Sequence, residues 1–362
     1  MSKALRPRRA VERMKAYSPP TEGRAGKLRL DFNENTVGCS SHVAAFLRQQ
    51  LNAERLSIYP EYAATRTELA AHFGVSEAEL LLTNGTDEAV QLLINTFVDA
   101  GEDVIILQPS YAMYRFYAEL AGATIRGISY RAETLAFPLE ELLETIDEGT
   151  RAVLISNPNN PTGTGIGLDV IEKIAARAPA AAILLDEAYY EFFGVTALPL
   201  TCRFPNLFVS RTFSKAYGMA GMRLGCLLSD ARNLSFVHKA QSPYSVNILA
   251  AMAVRAALSD PKYISQYVRE VLDAREVLYA GLDRLGIPFY RSDANFVLMR
   301  LGDRGEEVRE KLGAAGVLVR DRSDEIKGCV RVTVGTREQT NRFLTGLERI
   351  WRGGKDATEA ET

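Results

Sequence analysis

RAVLISNPNNPTGTGIGLDVIEKIAARAPAAAILLDEAY, residues 151–189, is the stretch that decides the fold. It opens on a continuous apolar run, AVLIS, and closes on another, AAILLD. Neither run alternates apolar with polar, as a strand with one wet face would. Each reads as a strand covered on both faces. Between them lie a turn rich in Asn, Pro and Gly and the segment LDVIEKIAARA, whose apolar residues recur at helical spacing. Strand, helix and strand in this order predict a crossover unit of a parallel sheet.

The alternation continues outward in both directions. TRTELAAHFG reads as a helix stopped by Gly74; LLLT is a short strand; NGTDEAVQLLINTFVDAG is a loop running into an amphipathic helix. DVIILQ is a strand, PSYAMYRFYAELAG a helix, and NLFVSRTFSK is again strand-like. Beyond, KYISQYVREVLDAREVLYAGLDRLG (262–286) is one long periodic helix ended by Gly286. The short strands NFVLMR, VLVRDR and GCVRVTVG follow, then the closing helix TREQTNRFLTGLERIW. The fold class expected is α/β: a large domain with a mainly parallel sheet under helices, plus a smaller α+β domain. The expected divisions are an N-terminal arm at 1–35, the large domain at 36–255, the small domain at 256–352 with part of the N-terminal segment, and a frayed tail at 353–362.

Bulk properties exclude several function classes. At roughly 150 residues per domain, 362 residues suggest two domains. A net charge of -2, from 43 basic and 45 acidic residues, gives no single-sign field for nucleic acid or anionic lipid. The basic residues clustered before position 16 read as a solvated, flexible arm. No apolar run approaches a membrane span, and no apolar segment follows the basic N-terminus as a secretory signal requires. The four cysteines lie far apart and form no C-x-x-C, so reduced thiols in a cytoplasm are expected. With three histidines and no H-x-x-x-H spacing, no metal site is expected.

In an open α/β sheet, ligands sit beyond the carboxyl ends of the strands. Four such ends here carry polar groups of different kinds. After LLLT comes NGTDEA, where Gly85 lets backbone approach closely and the amides of Thr86 and Asp87 open a helix. That is either an anion site or a plain helix cap. After VLIS comes NPNNPTG, either a tight loop or a place where Asn160 offers an amide to a ligand. After AAILL comes Asp186, a poorly hydrated carboxylate that needs either a structural ion pair or a protonated heterocycle nitrogen. After LFVS comes RTFSKAYGMAGMRLG (211–225), where Lys215 stands alone among small and apolar residues. Gly163, Gly165 and Gly167 form G-x-G-x-G, not the dinucleotide fingerprint, and NGTDEA lacks a P-loop lysine. Together these groups meet the needs of one cofactor, pyridoxal 5'-phosphate (PLP). Gly85, Thr86, Thr212 and Arg223 suit its phosphate, and Asp186 its pyridine nitrogen. Asn160 and Tyr189 suit its phenolic oxygen, and Lys215 its aldehyde.

The motifs DEAY at 186, SNPNNPTG at 156, TFSKAYGMAGMRLG at 212 and GVLVRD with GCVRVTVGTRE at 316–338 make the chain similar to fold-type I PLP-dependent aminotransferases. Within that group it resembles the histidinol-phosphate aminotransferase family over nearly its whole length. The resemblance implies Lys215, Asp186 and Tyr189 as catalytic residues, with Lys215 the covalent anchor and proton carrier. It implies cofactor contacts from Gly85, Thr86, Asp87, Asn160, Thr212, Ser214 and Arg223, with Tyr111 stacked on the ring. Tyr59 matches a tyrosine that reaches the neighbouring subunit's cofactor, which implies a homodimer with shared sites. Arg331 matches the arginine that grips the substrate's acidic group, and Tyr17 and Asn33 match substrate-side positions. Arg320 and Arg322, close in sequence, are candidates for holding a second anion.

The activity implied is amino transfer from L-histidinol phosphate to 2-oxoglutarate, giving imidazole acetol phosphate and glutamate. The same frame occurs in aromatic amino acid aminotransferases and in a phosphothreonine decarboxylase, a lyase. NENT in place of the commoner N-E-N-P, and the arm segment YSPPTEG, depart from the family pattern on the substrate side.

Overall fold

A computed structural model describes residues 5–16 and 21–359, so Tyr17 lies outside the described residues. In chain order the strands are β1 Leu28–Arg29, β2 Leu80–Thr83, β3 Asp103–Gln108, β4 Thr124–Ser129, β5 Thr150–Ser156, β6 Ala182–Asp186, β7 Leu207–Thr212 and β8 Gly225–Ser229. Then follow β9 Phe289–Tyr290, β10 Phe296–Arg300, β11 Val317–Leu318, β12 Arg320–Asp321 and β13 Cys329–Thr333.

The crossover unit forms as expected. β5 and β6 pair in parallel, joined through the helix Leu168–Arg177. They sit inside a seven-stranded sheet of order β2-β8-β7-β6-β5-β3-β4. Successive residues of β5 go to opposite faces: Val153 and Ile155 join one core, Ala152 and Leu154 the other. Apolar side chains on both faces need cover on both faces, and that explains why the strands read as unbroken apolar runs. Helices Gly85–Phe97, Ala112–Ala121 and Ala231–Ala240 contribute to one core; the long helix Pro261–Arg284 contributes to the other. Gly74 and Gly122 end their helices in the left-handed conformation, at φ 67° and 83°.

One strand breaks the parallel rule. β8 runs antiparallel to both β7 and β2. Two reversals restore direction, so β2 points the same way as β5, β6 and β7. The carboxyl ends of β2, β3, β5, β6 and β7 therefore open on one edge of the sheet.

A second, antiparallel sheet has the order β12-β13-β10-β9. The N-terminal segment is built into this part of the molecule: β1 pairs in parallel with β11, and Thr333 N donates to Leu30 O at 2.9 Å. Residues 9–13 of the basic arm form a short exposed helix, and the closing helix spans Arg337–Glu359. No helix among the described residues is long and apolar enough to cross a membrane.

Candidate active site

The shared edge of strand ends opens into a cavity of about 580 Å3. Lys215, Asp186, Tyr189, Asn160, Thr86, Asp87, Tyr111, Thr212, Ser214, Arg223, Asn33, Arg320 and Arg331 all line it. Gly85 lies against it rather than in its wall: a Cβ there would sit 2.6 Å from Arg223 Nη2. Tyr59 is apart from this cavity, 73% exposed and stacked on Tyr244 with ring centroids 4.3 Å apart. A second cavity, about 530 Å3, is walled by Leu258, Pro261, Ile264, Val268 and Leu272, with His72, Glu191, Ser265 and Arg269 among its polar members. It contains neither Lys215 nor Asp186, so the chemistry belongs to the first.

Asp186 ends β6 and is 3% exposed. Parallel pairing sets it in register between Ser156 of β5 and Ser210 of β7. Ser210 Oγ donates to Oδ1 and Tyr114 Oη to Oδ2, each at 2.9 Å. Burial raises the carboxyl to about 6, against the pull of these two hydroxyls. Two neutral donors leave the charge uncompensated, which suits a cationic nitrogen. Of the two readings open for Asp186, the structural ion pair is the one the geometry does not support. Buried ion pairing falls instead to the next residue, Glu187, which Arg211 Nε reaches at 2.8 Å.

Lys215 follows β7 by three residues. Its Nζ donates to Phe32 O at 2.9 Å. Burial, then Arg331, bring the amine down to about 8. Tyr189 Oη accepts from Asn33 Nδ2 at 3.0 Å, and Asn160 Oδ1 accepts from Arg331 Nη1, leaving the Asn160 amide hydrogens for another partner.

At the start of helix Gly85–Phe97 the Asn84 side chain makes no cap bond, while Glu88 Oε2 accepts from Asn84 N at 2.5 Å, so the cap is only half formed. Gly225 packs against this turn, where a Cβ would lie 2.8 Å from Gly85 C and 3.0 Å from Thr86 N. Arg223 takes up the left-handed conformation, φ 56°, and reaches Asp87 Oδ2 at 3.2 Å. Tyr111 Oη donates to Asp87 Oδ1 at 2.7 Å. The Asp87 carboxylate thus ties Tyr111 and Arg223 together at this turn.

On the far wall, β12 and β13 place Arg320 directly opposite Arg331. Like charges facing across a strand pair repel. Arg322 also lines the cavity, paired to Glu325 at 2.6 Å. Arg331 Nη2 donates to Asp31 O at 2.7 Å, while its Nε is buried without a partner. Burial and Arg322 together lower Arg331 to about 10. With Arg223, four guanidiniums line the cavity, a setting that suits an anion.

Tyr114, Ser210, Phe32 and Arg24 were not legible as site residues. Tyr114 stands one helical turn from Tyr111, which was a usable signal; the others depend on strand register and on the path of the N-terminal segment.

The model for the family described as aminotransferase class I and II matches residues 25–347. The chain belongs to that aminotransferase family. Among relatives of this aminotransferase, the histidinol-phosphate aminotransferase of Geobacillus sp. (strain WCH70) is 36% identical, with 89% of this chain and 90% of the relative covered. The histidinol-phosphate aminotransferase of Anoxybacillus flavithermus is 34% identical, with 92% and 91% covered. Among solved structures, the histidinol-phosphate aminotransferase of Sinorhizobium meliloti in complex with pyridoxal-5'-phosphate aligns with a TM-score of 0.87 at 23% identity, covering 97% of this chain and 99% of that one. The fold of this aminotransferase is fold type I.

Proposed function

We propose that this aminotransferase uses PLP to move the amino group of L-histidinol phosphate to 2-oxoglutarate, giving imidazole acetol phosphate and glutamate. The observation that carries the reading is one cavity holding a buried amine and a buried carboxylate on one wall and facing guanidiniums on another. The names of the sequence relatives support the choice of amino donor.

The residues fit the cofactor. Asp186 is held by neutral hydroxyls, glycine backbone at Gly85 and Gly225 packs behind Thr86 and Arg223, and the Lys215 amine is lowered to about 8, so it loses its proton far more readily than an exposed lysine. When bound, PLP supplies an electron sink conjugated to the substrate Cα. Asp186 holds a proton on the pyridine nitrogen. Tyr189 and Asn160 bond the ring oxygen, and Tyr111, anchored on Asp87, covers the ring face. Thr86, Thr212, Ser214 and Arg223 grip the phosphate. Lys215 Nζ would take the proton from the substrate Cα and deliver it to the C4' carbon of the cofactor, a task suited to an amine whose pKa is lowered to about 8. Arg331 and Arg320 serve a phosphate and a carboxylate in turn, as a site shared by histidinol phosphate and glutamate requires.

A homodimer completes this reading. The exposed Leu56, Ile58 and Tyr59 lie together in sequence beside the Tyr59–Tyr244 stack, and supply an apolar surface for a second copy. Residues 36–255 and 256–352 make up the large and small domains, and four free cysteines support a cytoplasmic setting.

A panel of amino donors tests the assignment. Histidinol phosphate is expected to react fastest with 2-oxoglutarate. Faster reaction of phenylalanine or tyrosine moves the enzyme to the aromatic aminotransferases. Carbon dioxide released from O-phosphothreonine without amino transfer makes it a lyase. Lys215→Ala is expected to lower transamination by roughly 10²–10⁴-fold.

A further inference from the structure

The turn Asp31–Glu34 ties together three groups of the site. Phe32 O accepts from Lys215 Nζ at 2.9 Å, Asp31 O accepts from Arg331 Nη2 at 2.7 Å, and Asn33 Nδ2 donates to Tyr189 Oη at 3.0 Å. Its backbone is held in an uncommon conformation, since Asn33 has φ 56°. Arg24 grips this turn from the other side. Its Nε and Nη2 meet the two Asp31 carboxylate oxygens at 3.0 and 2.9 Å, and its Nη1 and Nη2 meet those of Glu34 at 3.3 and 2.6 Å. The guanidinium also lies 4.2 Å from the Phe32 ring centroid. Its side chain is 15% exposed. A planar fork that serves two carboxylates and a ring at once fixes geometry as no single-point cation can.

We propose that Arg24 is a positioning residue for Lys215. It fixes the turn so that the Phe32 carbonyl receives the lysine amine whenever that amine is free, and it keeps the Glu34 carboxylate engaged elsewhere. The proposal rests on the reading of Lys215 as the reacting amine. A lysine has a long, mobile stem and must be parked to act at one atom. A carbonyl holds the amine by a hydrogen bond and adds no counter-charge. A carboxylate in the same place would hold it as an ammonium and raise its pKa. Glu34 lines the same cavity, and its charge already acts on Lys215 in that sense. The other charges facing Lys215 are the cationic Arg331 and Arg223 and the anionic Asp87 and Asp186. Without Arg24, the ion pair left to Glu34 among the described residues is with Arg29, which is half-exposed and 3.4 Å away.

The test reads the lysine itself, in the protein without cofactor. Lys215 is acetylated across a pH series and the modified peptide is measured by mass spectrometry. Wild type is expected to show a midpoint near 8. Arg24→Gln is expected to raise it by about one unit. Adding Glu34→Gln to that variant returns the midpoint toward wild type, and Arg24→Lys keeps it close to wild type. With cofactor bound, kcat of Arg24→Gln falls about tenfold or more while the donor KM moves little. A wild-type midpoint in folded Arg24→Gln, or a full shift that survives Glu34→Gln, overturns the proposal. Should Arg24→Gln fail to fold, Glu34→Gln alone decides: its midpoint must fall, and an unchanged midpoint overturns the proposal equally. Retention of transamination by Lys215→Ala would remove the reading beneath the proposal while leaving the labelling midpoints as measured, so the two failures are distinguishable.

Discussion

Asp186 carries a cost that its environment accepts for the sake of a ligand. Its carboxyl is raised from 3.8 to about 6 by burial, so the folded protein holds a proton that the unfolded chain has already released in that window. The sign follows: this contribution to stability is complete below about pH 4 and is lost as pH rises through about 6. The loss at neutral pH is on the order of 3 kcal/mol for this group. Asp186→Asn is therefore expected to be more stable than wild type at pH 7, and no more stable near pH 4, when the cofactor-free proteins are unfolded in urea. The same variant is expected to lose two to three orders of magnitude in activity, roughly the scale of a lost electrostatic partner at a reacting centre. The sequence showed why Asp186 matters, because a carboxylate closing an apolar run is conspicuous. Its two hydroxyl partners were hidden, since Ser210 comes from the next strand and Tyr114 from a helix 72 residues earlier.

At the scale of elements, the site depends on where strands end and on how closely two turns approach. Helix Gly85–Phe97 and β8 meet through Gly85 and Gly225. A methyl group on Gly225 would press on backbone atoms, which give little, whereas Gly221 has open space around its Cβ position. Gly225→Ala is expected to cost about 1–3 kcal/mol in thermal unfolding and to weaken cofactor binding at least tenfold, about 1.4 kcal/mol. Gly221→Ala is expected to leave both nearly unchanged. Equal behaviour of the two variants would contradict this account of the cradle. The crossover unit around β5 and β6 was legible because burial on both faces writes an unbroken apolar run. The direction of β8 was not, since an antiparallel strand buried on both faces has the same apolar pattern as a parallel one. Nor was the facing of Arg320 and Arg331, which is a matter of register between β12 and β13.

Across the whole molecule, the N-terminal segment threads back to the C-terminal sheet and lines the cavity with Phe32, Asn33 and Glu34. Contacts such as Thr333 N to Leu30 O and Asn295 Nδ2 to Asn33 O span most of the chain length. The proposed dimer extends that closure to a second copy. Tyr59→Ala is expected to keep each chain folded, because the side chain is largely exposed and removes little buried area. It is expected to lower cofactor affinity and to raise the dimer dissociation constant measured by sedimentation. A stable monomer with full activity would refute the shared-site arrangement.

By itself, the sequence determined the alternation of buried strands and helices, the chemical type of each strand end, and the residues able to serve one cofactor. These are local matters, set by side-chain polarity and spacing along a few turns. Tertiary structure alone decided which groups touch. It set Asp186 between two hydroxyls, aimed the Lys215 amine at the Phe32 carbonyl, opposed two arginines across a strand pair, and locked the turn that holds them with Arg24. Such contacts join residues tens to hundreds of positions apart. Register, strand direction and the return path of the chain govern them, and no local pattern records those.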